Sequence, residues 1–121
     1  MSKTILTVDD SPSIRRMVAM TLSDAGYRVV EAVDGQDGLQ KATSQQFDGI
    51  ITDQNMPNMD GLSFIRAFRT HPSSAGVPVI VLSTESSDAL KQTAREVGAV
   101  GWMVKPFDQN KLVAVVRKVV G

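Results

Sequence analysis

Cysteine is absent from the 121 residues, which excludes a disulfide framework, a thiolate zinc site and a thiol nucleophile. A single histidine, His71, excludes any site that needs two imidazoles, and its Pro/Ser/Gly-rich surroundings make it a solvated loop residue. Aromatics make up only 5% of the chain, and no basic run is interleaved with them, so no nucleic-acid surface is expected. No apolar run nears the ~18–20 residues of a membrane span, and the opening MSKTILTVDD lacks a signal-peptide pattern. The expectation is a soluble, cytoplasmic monomer with no membrane contact. Net charge is also lacking, because 13 Lys and Arg match 13 Asp and Glu. The balance is uneven along the chain, however. Residues 1–60 hold nine acids and five bases, a net of −4, and residues 61–121 hold four acids and eight bases, a net of +4. The surplus acid of the first half needs an explanation.

What the chain does have is alternation. Its length fits one domain, and a chain of this size hides roughly two-thirds of its unfolded surface, enough for a core. Strands are expected at Thr4–Val8, Arg28–Ala32, Gly49–Thr52, Val79–Leu82 and Val100–Val104. Several of them read as near-continuous apolar runs, which fits strands covered on both faces. Helical periods lie between them. Ile14, Met17, Val18, Thr21, Leu22 and Ala25 share one face, with Gly26 as the stop. Asp34 or Gly35 opens a second helix toward Phe47, and Gly61 to about Thr70 forms a third. Ser87 to Val97 forms a fourth with a thin apolar face, expected to be the least firmly packed. Asp108 caps a fifth, whose Leu112, Val115, Val116 and Val119 face inward. Five such repeats predict an α/β fold, a doubly wound parallel sheet with helices on both faces.

In such a sheet ligands gather outside the carboxyl ends of the strands. Asp9 and Asp10 follow the first strand, Asp53 and Asn55 the third, Ser83, Thr84 and Glu85 the fourth, and Lys105-Pro106 the fifth. Each alone has an ordinary reading as a cap, a turn hydroxyl or a solvated charge. Together they place three carboxylates at one edge, where like charges ~4 Å apart repel by about 4 kcal/mol at an effective dielectric near 20. A positive group must sit among them. Oxygen ligands without Cys or His point to a hard cation, and Mg²⁺ suits a site of one or two carboxylates completed by phosphate oxygens. A carboxylate beside such an ion and a lysine is equipped to attack phosphorus, with Asp53 the natural nucleophile.

The motifs V-D-D-S at 8–11, T-D-x-N-M-P-x-M-D-G at 52–61, L-S-T-E at 82–85 and V-K-P-F at 104–107 resemble the receiver domain of two-component response regulators. The resemblance spans essentially the whole chain, 1–121, so a receiver domain without an output domain is expected. It implies the flavodoxin-like strand order 2-1-3-4-5. It implies that Asp53 accepts a phosphoryl group from the phosphohistidine of a histidine kinase. Asp10 and Asp53 would bind Mg²⁺ through their carboxylates and Asn55 through its backbone carbonyl, with Asp9 acting mainly through metal-bound water. Lys105 would pair with Asp53 and then with the phosphoryl oxygens, and Ser83 would swing toward the phosphate. Lys105-Pro106 matches the family's cis peptide. Trp102 stands at the switch position, where many members carry Tyr, Phe or His. An indole there is bulkier than a phenol and has no hydroxyl, so an incomplete inward swing into the space vacated by Ser83 is expected.

Asn55, Glu85 and the segment G-W-M-V-K-P-F further resemble chemotaxis receivers of the CheY type. That implies a kinase of the CheA type as donor, a flagellar motor switch protein as phosphorylation-dependent partner, a possible phosphatase, and no enzymatic activity beyond the chain's own phosphorylation and dephosphorylation. The partner face would comprise Lys91, Arg95, Trp102 and Lys111. A phosphate sink or phosphorelay shuttle would share every site residue. An aspartate-nucleophile phosphatase would want Asp-x-Asp after the first strand, where this chain has adjacent Asp9-Asp10 followed by Ser11. A flavin mononucleotide carrier would want a Ser/Thr/Gly-rich loop there, and the two carboxylates would repel its phosphate.

Overall fold

The computed structural model describes residues 2–121. Five parallel strands, β1 (Thr4–Val8), β2 (Arg28–Ala32), β3 (Gly49–Thr52), β4 (Val79–Ser83) and β5 (Gly101–Val104), form one sheet in the order β2-β1-β3-β4-β5. They alternate with α1 (Pro12–Asp24), α2 (Gly35–Ser44), α3 (Gly61–Phe68), α4 (Asp88–Glu96) and α5 (Gln109–Val119). The fold class and strand order are those expected. Side chains alternate across each strand, so the sheet divides two cores. Leu6, Val8, Ile50, Val79 and Val81 pack with α2, α3 and Ala94 of α4, around a stacked Phe64–Phe68 pair with centroids 6.0 Å apart. Ile5, Ile51, Ile80 and Leu82 pack on the other face with Val18 and Leu22 of α1 and Leu112 and Val116 of α5.

The helix ends follow local chemistry. Ser11 caps α1 by accepting from the Ile14 amide, and Pro12 sits in the first turn, where a missing N–H costs nothing. Gly26 and Gly98 follow α1 and α4 with φ of 100° and 104°, a region open to glycine and costly for most residues. Several expected boundaries shift. β4 runs one residue further, to Ser83, and β5 starts one residue later, at Gly101. α2 stops at Ser44, since Gln45 turns extended so that Phe47 can reach the core. α3 ends at Phe68, and Pro72–Ser74 form a 3₁₀ turn where only a loop was foreseen. Met17, expected on the inner face of α1, lies 42% exposed at its edge. In α4 only Ala94 is fully buried, as its thin apolar face implied. His71 is exposed.

The loop after β3 is pinned to α2 by one carboxylate. Asp34 caps α2 through Oδ1, which accepts from the Asp37 amide at 2.8 Å, while Oδ2 accepts from Asn58 Nδ2 at 2.8 Å. Asn58 itself has a φ of 68°, which asparagine tolerates better than most residues. The Asp37 amide, helped by Asn58, holds the Asp34 carboxyl below the usual carboxylate range. Asp34→Ala is expected to lower unfolding stability by about 1 kcal/mol at neutral pH. A depressed folded pKa means the contribution is full above the ordinary carboxylate value and is lost as pH falls through the folded one. Urea titrations from pH 7 to pH 3 should therefore show wild type and variant converging only at the acid end. A gap that stays constant with pH would mean that the charge of Asp34 plays no part.

Candidate functional site

The reversal of strand order lies between β1 and β3, and the register sets what faces what there. Val8 is level with Thr52 across β1–β3, and Thr52 is level with Val81 across β3–β4. The Asp53 amide donates to the Val8 carbonyl at 2.9 Å, so Asp9 and Asp53 leave the sheet side by side. Asp9 (3% exposed) and Asp53 (9%) are buried, while Asp10 is exposed. Each offers a carboxylate oxygen, and all three oxygens lie within 4.8 Å of one another.

Lys105 is the positive group among them. Its Nζ donates to Asp9 Oδ2 at 2.8 Å and lies 3.3 Å from Asp53 Oδ2, with only 10% of its side chain exposed. The lysine thus bridges two carboxylates, where the resemblance implied a pair with Asp53 alone. Asp9 Oδ1 accepts from the Ser11 amide at 2.9 Å. Burial nevertheless pushes the Asp9 carboxyl upward. The hydrogen bond from Lys105, the Ser11 amide and the Lys105 charge oppose that push, and the Asp53 charge adds to it. The donor set, three carboxylates without nitrogen or sulfur, fits a hard divalent cation such as Mg²⁺.

Asp53 is fixed from behind. Its Oδ1 accepts from the Gln54 amide at 2.7 Å, and the Thr52 hydroxyl donates to its carbonyl at 2.9 Å. The buried Gln54 side chain accepts from the Leu62 amide at 2.8 Å, and its carbonyl accepts from the Gly61 amide at 2.9 Å. A Cβ on Gly61 would run into the Asp53 carbonyl, so glycine is required for that approach. The peptide bond Lys105-Pro106 is cis. Gln54 and Thr52 escaped the sequence reading. Gln54 occupies the variable place in the motif, and only its burial reveals its role.

The fourth-strand residues connect this pocket to the surface. Ser83 is fully buried, and its Oγ accepts from the Glu85 amide at 3.3 Å. Asn55 Nδ2 donates to Glu85 Oε1 at 3.2 Å, and Trp102 Nε1 donates to the Glu85 carbonyl at 2.8 Å. Glu85 therefore touches the edge of the acidic pocket with its side chain and the indole with its backbone. Trp102 also separates two surface grooves. One, of about 510 Å³, includes Lys91 and Arg95, and the other, of about 490 Å³, includes Lys111 and Phe107. Lys91 and Arg95 thus line one groove and Lys111 the other, and the two grooves share the indole.

Carboxylate repulsion in the pocket has a measurable consequence. A like-charge pair at 4.8 Å costs on the order of 3 kcal/mol at an effective dielectric near 20, and less where water and salt reach Asp10. In chelator, Asp10→Asn should unfold at or above the wild-type midpoint. A clearly lower midpoint would mean that Asp10 serves as a structural cap.

Residues 5–117 match the response regulator receiver domain family. The chain is 35% identical over 118 residues to a probable chemotaxis protein CheY of Rhizobium etli, covering 97% of this chain and 92% of that one. It is similar in structure to chemotaxis protein CheY4 of Vibrio cholerae, with a TM-score of 0.94, 45% identity, and coverage of 98% of this chain and 99% of that one. It is also similar to the receiver domain of sensor histidine kinase PA1611 from Pseudomonas aeruginosa PAO1, whose structure has a magnesium ion coordinated in the active site cleft. That match has a TM-score of 0.92, 27% identity, and coverage of 100% of this chain and 99% of that one.

Proposed function

The chain belongs to the response regulator receiver family, and from that premise we propose that it is a phosphorylation-driven switch whose phosphoacceptor is Asp53. The observation that carries this reading is the buried Asp53 carboxylate, 3.3 Å from the Lys105 ammonium inside a group of three carboxylates at the strand-order reversal. The Asp53 carboxylate attacks the phosphorus of a phosphohistidine on a partner kinase. A carboxyl-oxygen-to-phosphorus bond forms, the nitrogen–phosphorus bond breaks, and the electron pair leaves with the imidazole. The Gln54 amide orients the carboxylate, and Lys105 is placed to follow the incoming phosphoryl oxygens as they displace its contact with Asp53. Asp10, Asp53 and the Asn55 carbonyl would hold Mg²⁺, with Asp9 acting through water. When bound, the ion supplies positive charge against the phosphoryl oxygens. Ser83 is placed to turn its hydroxyl from the Glu85 amide to the phosphoryl group, which would change the Glu85 segment and with it Trp102. No helix among the described residues is long and apolar enough to cross a membrane, and a cytoplasmic location is part of the proposal.

The similarity to chemotaxis proteins of the CheY type supports a CheA-type kinase as donor and a flagellar motor switch protein as partner. The partner would dock on Lys91, Arg95, Trp102 and Lys111 as an acidic amphipathic helix. The similarity to a receiver domain of a sensor histidine kinase supports the second reading, a phosphorelay or phosphate-sink role, which uses the same pocket without that face.

Incubation with Mg²⁺ and a small acyl-phosphate donor should add one acid-stable, base-labile phosphate, absent in Asp53→Asn. Undiminished labelling of the variant would overturn the assignment. Mg²⁺ at ~10 times its dissociation constant should stabilise the wild type by about 1.4 kcal/mol, a response that Asp10→Asn should largely lose. On the output side, an acidic helical peptide should bind the phosphorylated protein at least several-fold more tightly than the unmodified one. A Lys91→Glu/Lys111→Glu variant should abolish that gain. Equal affinity in all four combinations would favour the relay reading.

A further inference from the structure

Two basic residues, Arg15 and Arg16, stand near the start of α1, where the helix dipole disfavours positive charge and no acidic residue of the first turn offsets them. Arg16 is exposed, but Arg15 is drawn in, with 15% of its side chain accessible. Its Nη1 donates to the Asp9 carbonyl at 2.8 Å, and its Nε donates to Glu31 Oε1 at 3.1 Å. The acceptor carbonyl belongs to the peptide that joins Asp9 to Asp10, so one guanidinium holds the peptide that carries both carboxylates. The amide of Asp9 is held as well, by the Ala32 carbonyl at 3.1 Å, and the Ser11 amide is engaged by Asp9 Oδ1. Asp10 itself is exposed, and none of its described contacts fixes its direction other than the peptide before it. Glu31 in turn holds the guanidinium through its Nε, and Lys41 Nζ donates to the Glu31 carbonyl at 2.7 Å.

We propose that Arg15, oriented by Glu31, is a positioning residue for the cation site: it fixes the Asp9–Asp10 peptide so that the Asp10 carboxylate faces Asp53. The inference rests on the proposed Mg²⁺ site and adds a residue that would not touch the ion. Electrostatics and positioning predict opposite signs here. A guanidinium that acts only as a nearby charge repels Mg²⁺, so its removal should tighten binding. A guanidinium that aims Asp10 helps, so its removal should weaken binding, and loss of such an outer contact typically weakens metal affinity about 10-fold or more. Lysine separates the two further, since it keeps the charge and lacks the planar fork that spans the Asp9 carbonyl and Glu31 together.

The test is calorimetric titration of MgCl₂ into wild type, Arg15→Gln, Arg15→Lys and Glu31→Gln, with each variant's unfolding midpoint measured in chelator. The expected result is about tenfold weaker binding for both Arg15 variants and a smaller loss for Glu31→Gln, at temperatures where all are folded. Tighter binding by Arg15→Gln, or wild-type affinity in Arg15→Lys, would overturn the proposal. So would losses in affinity that merely follow losses in midpoint, and the milder Glu31→Gln provides that comparison should Arg15→Gln fold poorly. Failure of the wild type to bind Mg²⁺ would overturn the metal reading itself, an outcome distinct from all of these.

Discussion

One ammonium holds the working edge of this sheet together. Lys105 arrives from the end of β5, reaches past β4 and β3, and sits between Asp9 at the end of β1 and Asp53 at the end of β3. Ion pairs this dry are a poor source of net stability, because desolvation offsets much of the attraction. Their effect is on geometry. Neither buried carboxylate can turn to another partner without leaving a charge unpaired, so both stay aimed at one point. Asp10 has no share in the lysine and faces water. The edge therefore carries more negative than positive charge, which is the condition a divalent cation relieves. The acidic bias of residues 1–60 is in part the trace of this arrangement in the composition.

The contrast between the two ends of the Glu85 segment bears on how a chemical event at Asp53 is felt elsewhere. Salt screens charges more than about 8–10 Å apart, so a new phosphoryl charge would act poorly through the field alone on a surface the pocket does not touch. Contacts are better carriers. Ser83 and Asn55 meet Glu85 from the pocket side, and Trp102 meets it from the groove side. The indole supplies an N–H where a phenol would supply a hydroxyl, and it already engages the Glu85 carbonyl. The bulk that hinders an inward swing thus comes with a donor that ties the indole to the Glu85 segment.

How much of this was legible beforehand depended on whether the cause was local. Strands covered on both faces write themselves as runs such as Ile50-Ile51 and Val79–Leu82, and caps such as Ser11, Asp34 and Asp108 precede their helices by simple chemistry. Those elements were readable to within a residue or two. The residues after each strand were readable as a group because a parallel sheet brings its carboxyl ends to one edge. Gln54 and Arg15 were not. A buried glutamine and a helix-start arginine are ordinary in sequence. What distinguishes them is a bond to a backbone group brought near by tertiary packing, the Leu62 amide for one and the Asp9 carbonyl for the other. The direction of Met17 and the early end of α2 failed for the same reason, since the neighbouring element and not the helical period decides which residue is covered.

The residues that brace the acidic edge share a pattern that bears on specificity. Gln54, Arg15 and the Asp34–Asn58 pair all bond to the backbone or to the loops around the acidic edge, and none adds a charge to the pocket itself. A site built from three repelling carboxylates has a strong tendency to splay. The attractive partner inside it, Lys105, sets where Asp9 and Asp53 point but has no contact with Asp10. The remaining freedom is removed from outside, by neutral or distant donors that hold peptides and leave the carboxylate lone pairs free. That division lets the edge keep enough unmet negative charge to attract a cation and a phosphoryl group, while the backbone beneath it stays in one conformation.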